Sequence, residues 1–265
     1  MIRKGYSDGP FGQLHWRIQL PQGDITLPDL YCLHPAPFSG LAFTGIMPHL
    51  AQGRRVIAPD FPGHGGSDPH VEHPTIEQYA QAMLAVINAI SGDAAVDVLG
   101  FHSGCLVAAE LAASAPGSIR RLVLIDVPFF DAATRTQMLE NDAAPFVPTT
   151  SLACLEQAWE RGITRRVDSQ GMDRSFAIFA ESLRHGARMN AAFFAAFSYD
   201  CDTRFAAIAC PTAVIATQSF LLDATRQAAA NITGAKLIER ADITRAVVDE
   251  AALPTALEVN RYLAA

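Results

Sequence analysis

The sequence predicts an α/β protein with a mostly parallel central sheet and an inserted helical block. Three observations carry this. Apolar, strand-like runs recur between stretches of helical periodicity, which is the pattern of βαβ units. The run from Val96 stops at Gly100, and a few residues later the chain enters Leu106–Ala112, rich in Ala and Leu, so a strand turns straight into a helix. From Pro128 to about Cys201 the strand pattern vanishes, and phenylalanines (Phe129, Phe130, Phe146, Phe176, Phe179, Phe193, Phe194, Phe197) gather in helix-like segments.

The chain justifies this element by element. Leu14, Trp16, Ile18 and Leu20 alternate as a half-buried strand does. Asp29–Leu33 is a mostly apolar strand that ends in the loop His34–Gly40, stiffened by Pro35 and Pro37. A helix is expected over Phe43–Leu50, a strand over Arg55–Ala58, and a glycine-rich loop over Pro59–Asp68. Thr75 with Gln78 three residues on has the form of a capping box, and Ile76, Tyr79, Met83, Val86, Ile87 and Ile90 form the helical stripe that follows. Arg121–Asp126 is a buried strand. After the helical block the rhythm resumes with a strand over Thr212–Ala216, a helix over Asp223–Ile232 and a strand over Lys236–Ile238. A last helical stretch runs from Val247 to Leu263, broken or restarted at Pro254.

Composition narrows the function. The 265 residues, half of them hydrophobic and 18% charged, can bury a sizeable core. A net charge of −7 argues against nucleic acid, which wants a basic face. No run reaches the ~18 apolar residues of a membrane span, and Met1–Gly5 lacks the apolar stretch of a signal peptide. Five scattered cysteines (Cys32, Cys105, Cys154, Cys201, Cys210) have no metal-ligand spacing and read as reduced thiols of a cytoplasmic protein. No metal or cofactor is implied, and the oligomeric state is not legible.

The sharpest feature is the corner Gly100-Phe101-His102-Ser103-Gly104. Both glycines sit where a side chain would collide with neighbouring backbone, and the residue between them stands exposed at the tip. This corner resembles the Gly-x-Ser-x-Gly nucleophile elbow. With the Asp60–Asp68 loop and the strand Leu122–Asp126, in that order and spacing, it makes the chain resemble the α/β-hydrolase superfamily. The resemblance implies an α/β-hydrolase fold with helices on both faces of the sheet. It implies a core of residues 1–128 and 202–265, and a helical cap over 129–201.

The site departs from that pattern three times. His102 stands where the nucleophile belongs. The family's acid lies just after the strand ending near Ala216, and in the stretch Thr217–Asp223 the only carboxylate is Asp223. No histidine follows His185, although the family's general base belongs after Ile238. A serine needs a base to take its proton and an acid to orient that base, and neither is evident. Two readings of His102 stay open. One is an acid–base group acting on a bound ligand or a water. The other is a relic at a corner the fold needs for its glycines. Ser103 is a second candidate nucleophile with His102 as its base, or the tip itself if the register slips by one, but the slip would misplace both glycines.

By position, the resemblance makes the amides of Ala36 and Ser103 oxyanion donors, and Asp126 a possible partner for His102. His34, Phe129 and Phe130 are pocket candidates, as are Phe193, Phe194 and Phe197. His185 is the one histidine able to enter from above. Asp60 and His64 read as structural. The expectation is a hydrolase of a small apolar ester or carbonyl compound without an ordinary triad. The alternative is a non-catalytic small-ligand-binding protein on the same fold. An orienting carboxylate within hydrogen-bond reach of His102 would support chemistry; burial among apolar side chains would support the relic.

Overall fold

The computed structural model describes residues 1–69, 73–141, 143 and 146–265. Eight strands form one sheet in the order β1-β2-β4-β3-β5-β6-β7-β8, where β1 is Ile2–Gly9, β2 Gly12–Gln19, β3 Leu30–Leu33, β4 Val56–Pro59, β5 Val96–Phe101, β6 Ile119–Ile125, β7 Thr212–Thr217 and β8 Lys236–Arg240. From β4 to β8 all neighbours are parallel; β2 pairs antiparallel with both β1 and β4. Strand β1 carries no apolar alternation (Ile-Arg-Lys-Gly-Tyr-Ser-Asp-Gly), so sequence periodicity passes over it. It survives as a charged edge strand paired with β2, a composition that discourages further strand pairing.

Helices cover both faces. The Ile76–Ser91 and Gly104–Ser114 helices pack on one face with Leu106, Leu111, Met83 and Val86, and the Met47–Leu50 and Ala252–Ala264 helices bury Leu50, Ala256 and Val259 on the other. Thr75 and Gln78 form the capping box: the Gln78 amide donates to Thr75 Oγ1 at 3.3 Å and the Thr75 amide to Gln78 Oε1 at 3.0 Å. The expected helix over Phe43–Leu50 is split into a 3₁₀ turn, Gly40–Phe43, and the short helix Met47–Leu50, which begins beside Pro48. The final helix starts at Ala252, so Pro254 falls in its first turn, where its missing N–H has no intrahelical partner to lose.

Between β6 and β7 the described residues form helices and no strand, the longest being Ala132–Asn141, Met172–Leu183 and Ala191–Ser198. They enclose a small core of their own around Ile163, Phe179 and Met189. His185 ties this stretch to the sheet loops. Its Nδ1 lies 2.5 Å from Gly63 O and its Nε2 2.9 Å from Pro37 O, so it braces two loops and does not reach the corner. Asp60 locks the glycine-rich loop from below, accepting from His15 Nδ1 and Arg17 (both 2.7 Å) and from the amides of Gly40 and Gly66 (2.8 and 2.9 Å).

Candidate functional site

Strand register brings the site together. Leu33 pairs with Gly100, Phe101 with Ile125, and Ile125 with Ile215. The loop after β3, the corner after β5, Asp126 after β6 and Thr217 at the end of β7 therefore converge at one edge. At that corner His102 has φ of 50° and Ser103 takes up helical dihedrals before the Gly104–Ser114 helix. A non-glycine residue in the left-handed region is strained, and such strain gathers at sites. The glycines are obligatory: a Cβ on Gly100 would lie 2.7 Å from Cys105 Cα, and one on Gly104 2.1 Å from Leu33 O.

Above the corner lies a cavity of about 560 Å³ lined by His102, the loop Pro35–Phe38, Asp126, Thr217, Phe220 and residues of the helical stretch, including Arg161, Arg166, Ile178 and Phe193. His102 meets Phe101 edge-on at 4.3 Å between ring centroids and Phe220 at 6.1 Å. Among the described residues its imidazole makes no hydrogen bond. Burial, and then the Arg166 charge, push it down to about 4, so the ring is neutral at neutral pH.

Ser103 Oγ accepts the Ala36 amide hydrogen at 2.7 Å and makes no hydrogen bond to His102. The Ala36 amide, expected as an oxyanion donor, is thus already taken. The Ser103 amide donates to no group among the described residues and stands at the start of an eleven-residue helix. Asp126 faces the cavity, but its carboxylate accepts from Thr217 N (3.0 Å) and Thr217 Oγ1 (2.7 Å) and does not bond His102. Burial raises its pKa against those Thr217 bonds.

Four expected site residues lie elsewhere. The Asp223 side chain is 87% exposed and paired with Arg226, because the Leu222–Asn231 helix carries it to the surface. Phe129 packs on Phe205 in the core, and Phe130 does not line the cavity, although its carbonyl accepts from Arg135. His34 is fully buried beneath the site. It bonds Pro35 O through Nδ1 at 3.0 Å and accepts the Phe61 amide at Nε2, also at 3.0 Å. That pairing requires the neutral ring protonated on Nδ1, and burial pushes it down to about 4. Of the later phenylalanines, Phe193 alone lines the cavity; Phe194 and Phe197 do not.

Sequence reasoning missed the arginines. Arg166 spans the cavity wall with Nε donating to Arg161 O at 3.0 Å and its guanidinium 4.9 Å over the Phe38 ring. Arg161 lies 5.9 Å over the Phe193 ring. The signal for them was the close spacing of Arg161, Arg165 and Arg166 in the helical block.

A family model for the alpha/beta hydrolase fold matches residues 28–163, just over half the chain, and the protein belongs to that family. Among curated relatives, a pimeloyl-[acyl-carrier protein] methyl ester esterase of Aromatoleum aromaticum is 39% identical over 120 residues, 45% of this chain and 43% of that protein. A 2-hydroxy-6-oxo-2,4-heptadienoate hydrolase of Pseudomonas putida is 36% identical over 81 residues, 30% and 29% of the two chains. The matched stretch thus spans less than half the length of either relative. The enol-lactonase of Burkholderia xenovorans LB400 superposes with a TM-score of 0.77 at 19% identity, over 98% of this chain and all of the other. A hydrolase from Pseudomonas aeruginosa PA01 does so at 0.79 and 22%, over 99% of both. At those identities the likeness is one of fold.

Proposed function

We propose that the protein is a small-ligand-binding member of the family that does not run an acyl-serine cycle. One observation carries this: the side chain at the corner's apex is an imidazole without a hydrogen-bond partner among the described residues, and its closest ring neighbours are phenylalanines. A nucleophile or base needs a group that orients it and stabilises its charged form. Here the nearby charge is cationic and opposes protonation of His102. The cavity has room for a small molecule with an apolar body, between the corner and the helices that follow β6, the stretch read here as the family's cap. The five free cysteines accord with a cytoplasmic setting.

A second reading, hydrolysis of a small apolar ester or carbonyl compound, has the left-handed apex and the open Ser103 amide in its favour, together with the hydrolase names of the relatives. In it the neutral His102 takes a proton from a water, the resulting hydroxide adds to the carbonyl carbon, and the Ser103 amide meets the oxyanion. The proton then leaves with the departing group.

The two readings separate on short-chain aryl esters and a serine-directed fluorophosphonate, with wild type, His102→Ala and Ser103→Ala side by side. The binding reading expects no labelling and no turnover above the His102→Ala background. Turnover that disappears with His102→Ala establishes the second reading, and labelling of Ser103 sinks both.

A further inference from the structure

We propose that the cavity's ligand is an organic anion, a small carboxylate with an apolar body, whose charged end is met by Arg166 with Arg161 beside it. The inference rests on the binding reading above and adds the chemistry of the ligand.

A charge inventory of the cavity wall leads there. It carries two carboxylates, and both are engaged: Asp126 with Thr217, and Asp249 with Arg174 at 2.9 Å. It also carries four guanidiniums. Arg165 pairs with Glu160 at 3.2 Å and Arg245 with Glu250 at 3.0 Å. Arg161 and Arg166 pair with no carboxylate among the described residues. Both are half-buried, and among the described residues only the Nε of Arg166 donates a side-chain hydrogen bond, which leaves its two terminal nitrogens without an acceptor there.

A cation withdrawn from water into a wall is costly unless something compensates it. Burial presses hardest against the Arg166 charge; the Asp249 carboxylate, itself bonded to Arg174, offsets part of that, and the Arg174 charge adds a smaller opposing push. The rings of Phe38 and Phe193 hold the two guanidinium planes in place without neutralising them. A planar guanidinium that lines a cavity and has no carboxylate bonded to it matches a ligand carboxylate, which it can receive through two parallel bonds. Phe101, Phe193, Ile178 and Met189 line the remainder and suit an alkyl or aryl body. Neutral His102 offers one N–H donor to a ligand oxygen without adding to the positive charge.

Matched dyes test this. 1-Anilinonaphthalene-8-sulfonate and N-phenyl-1-naphthylamine share their rings and differ in one anionic group, and each is titrated by fluorescence. Wild type is expected to bind the sulfonate about tenfold tighter than the neutral dye. Arg166→Gln is expected to bring the two within about twofold while leaving the neutral dye unchanged, and Arg161→Gln to remove a smaller part of the preference. Arg226→Gln, a change to an exposed arginine that does not line the cavity, should alter neither. Hexanoate should displace the sulfonate dye, whereas 1-hexanol or inorganic phosphate at equal concentration should not. Equal affinity for the two dyes, a preference that survives in Arg166→Gln, or displacement by phosphate in place of hexanoate overturns the anion inference alone. Failure of both dyes to bind overturns the ligand-binding reading beneath it.

Discussion

Acid should destabilise this protein in a defined window, through two histidines held neutral. His34 and His102 are both pushed from an ordinary 6.5 down to about 4. The folded values lie below the unfolded ones, so between pH 6.5 and about 4 the unfolded chain binds protons that the folded chain refuses. Their stabilising effect is complete above that window and is lost as pH falls through it. The structural cause is plainest at His34. A proton added at Nε2 would face the Phe61 N–H that this nitrogen now accepts, inside fully buried surroundings. At up to about 1.4 kcal/mol per pH unit, His34 should cost about 2 kcal/mol by pH 5. His102 is partly accessible and is discounted to about 1 kcal/mol. His185, also lowered by burial, adds with the same sign. Asp126, raised by burial, offsets part of the loss only near the acid end, where the folded state takes its proton first. Urea midpoints at pH 7, 6 and 5 read the effect. A loss of about 3 kcal/mol is a fall of about 1 M for a chain whose m-value is about 3 kcal/mol/M. In His34→Gln the pH slope should shrink by more than half. A midpoint that stays level from pH 7 to 5, or a slope unchanged in His34→Gln, refutes the reasoning.

Two further predictions concern what holds the site's frame. Gly104→Ala places a Cβ 2.1 Å from Leu33 O and 2.7 Å from Leu33 C, backbone atoms of a central strand that cannot give way without losing the β3–β5 register. It should cost more than about 3 kcal/mol, seen as a fall of about 10 °C in Tm or loss of folded protein. Asp97 in β5 accepts from Arg54 at 2.6 Å and from Arg120 through two bonds, 2.9 and 2.6 Å. Because Arg54 is 1% exposed, Asp97→Ala strands it and should cost about 3–5 kcal/mol by denaturant unfolding; Arg120→Ala, which leaves Arg54 paired, should cost clearly less.

Much of this molecule is readable from local pattern. The capping box at Thr75, the apolar strands, the corner with its two close-packed glycines, and the lack of any histidine after His185 all follow from residues near one another in the chain. Backbone periodicity and steric exclusion act over a few residues, so they leave their mark in sequence. Strand β1 escaped because an exposed edge strand needs no apolar alternation to pair.

What each polar or aromatic side chain does was decided only by the tertiary fold. Ser103 satisfies Ala36 across 67 residues, Asp126 satisfies Thr217 across 91, and His34 answers Phe61 across 27. Phe129 went to the core and Asp223 to the surface, although both flank the site in sequence. Arg161 and Arg166 line the cavity and pair with no carboxylate among the described residues, which their sequence neighbours do not reveal. The physical reason is that a polar group's partner, and so its charge and its chemistry, is set by strand register and by which helix lies overhead. Neither is written in the residues adjacent to it.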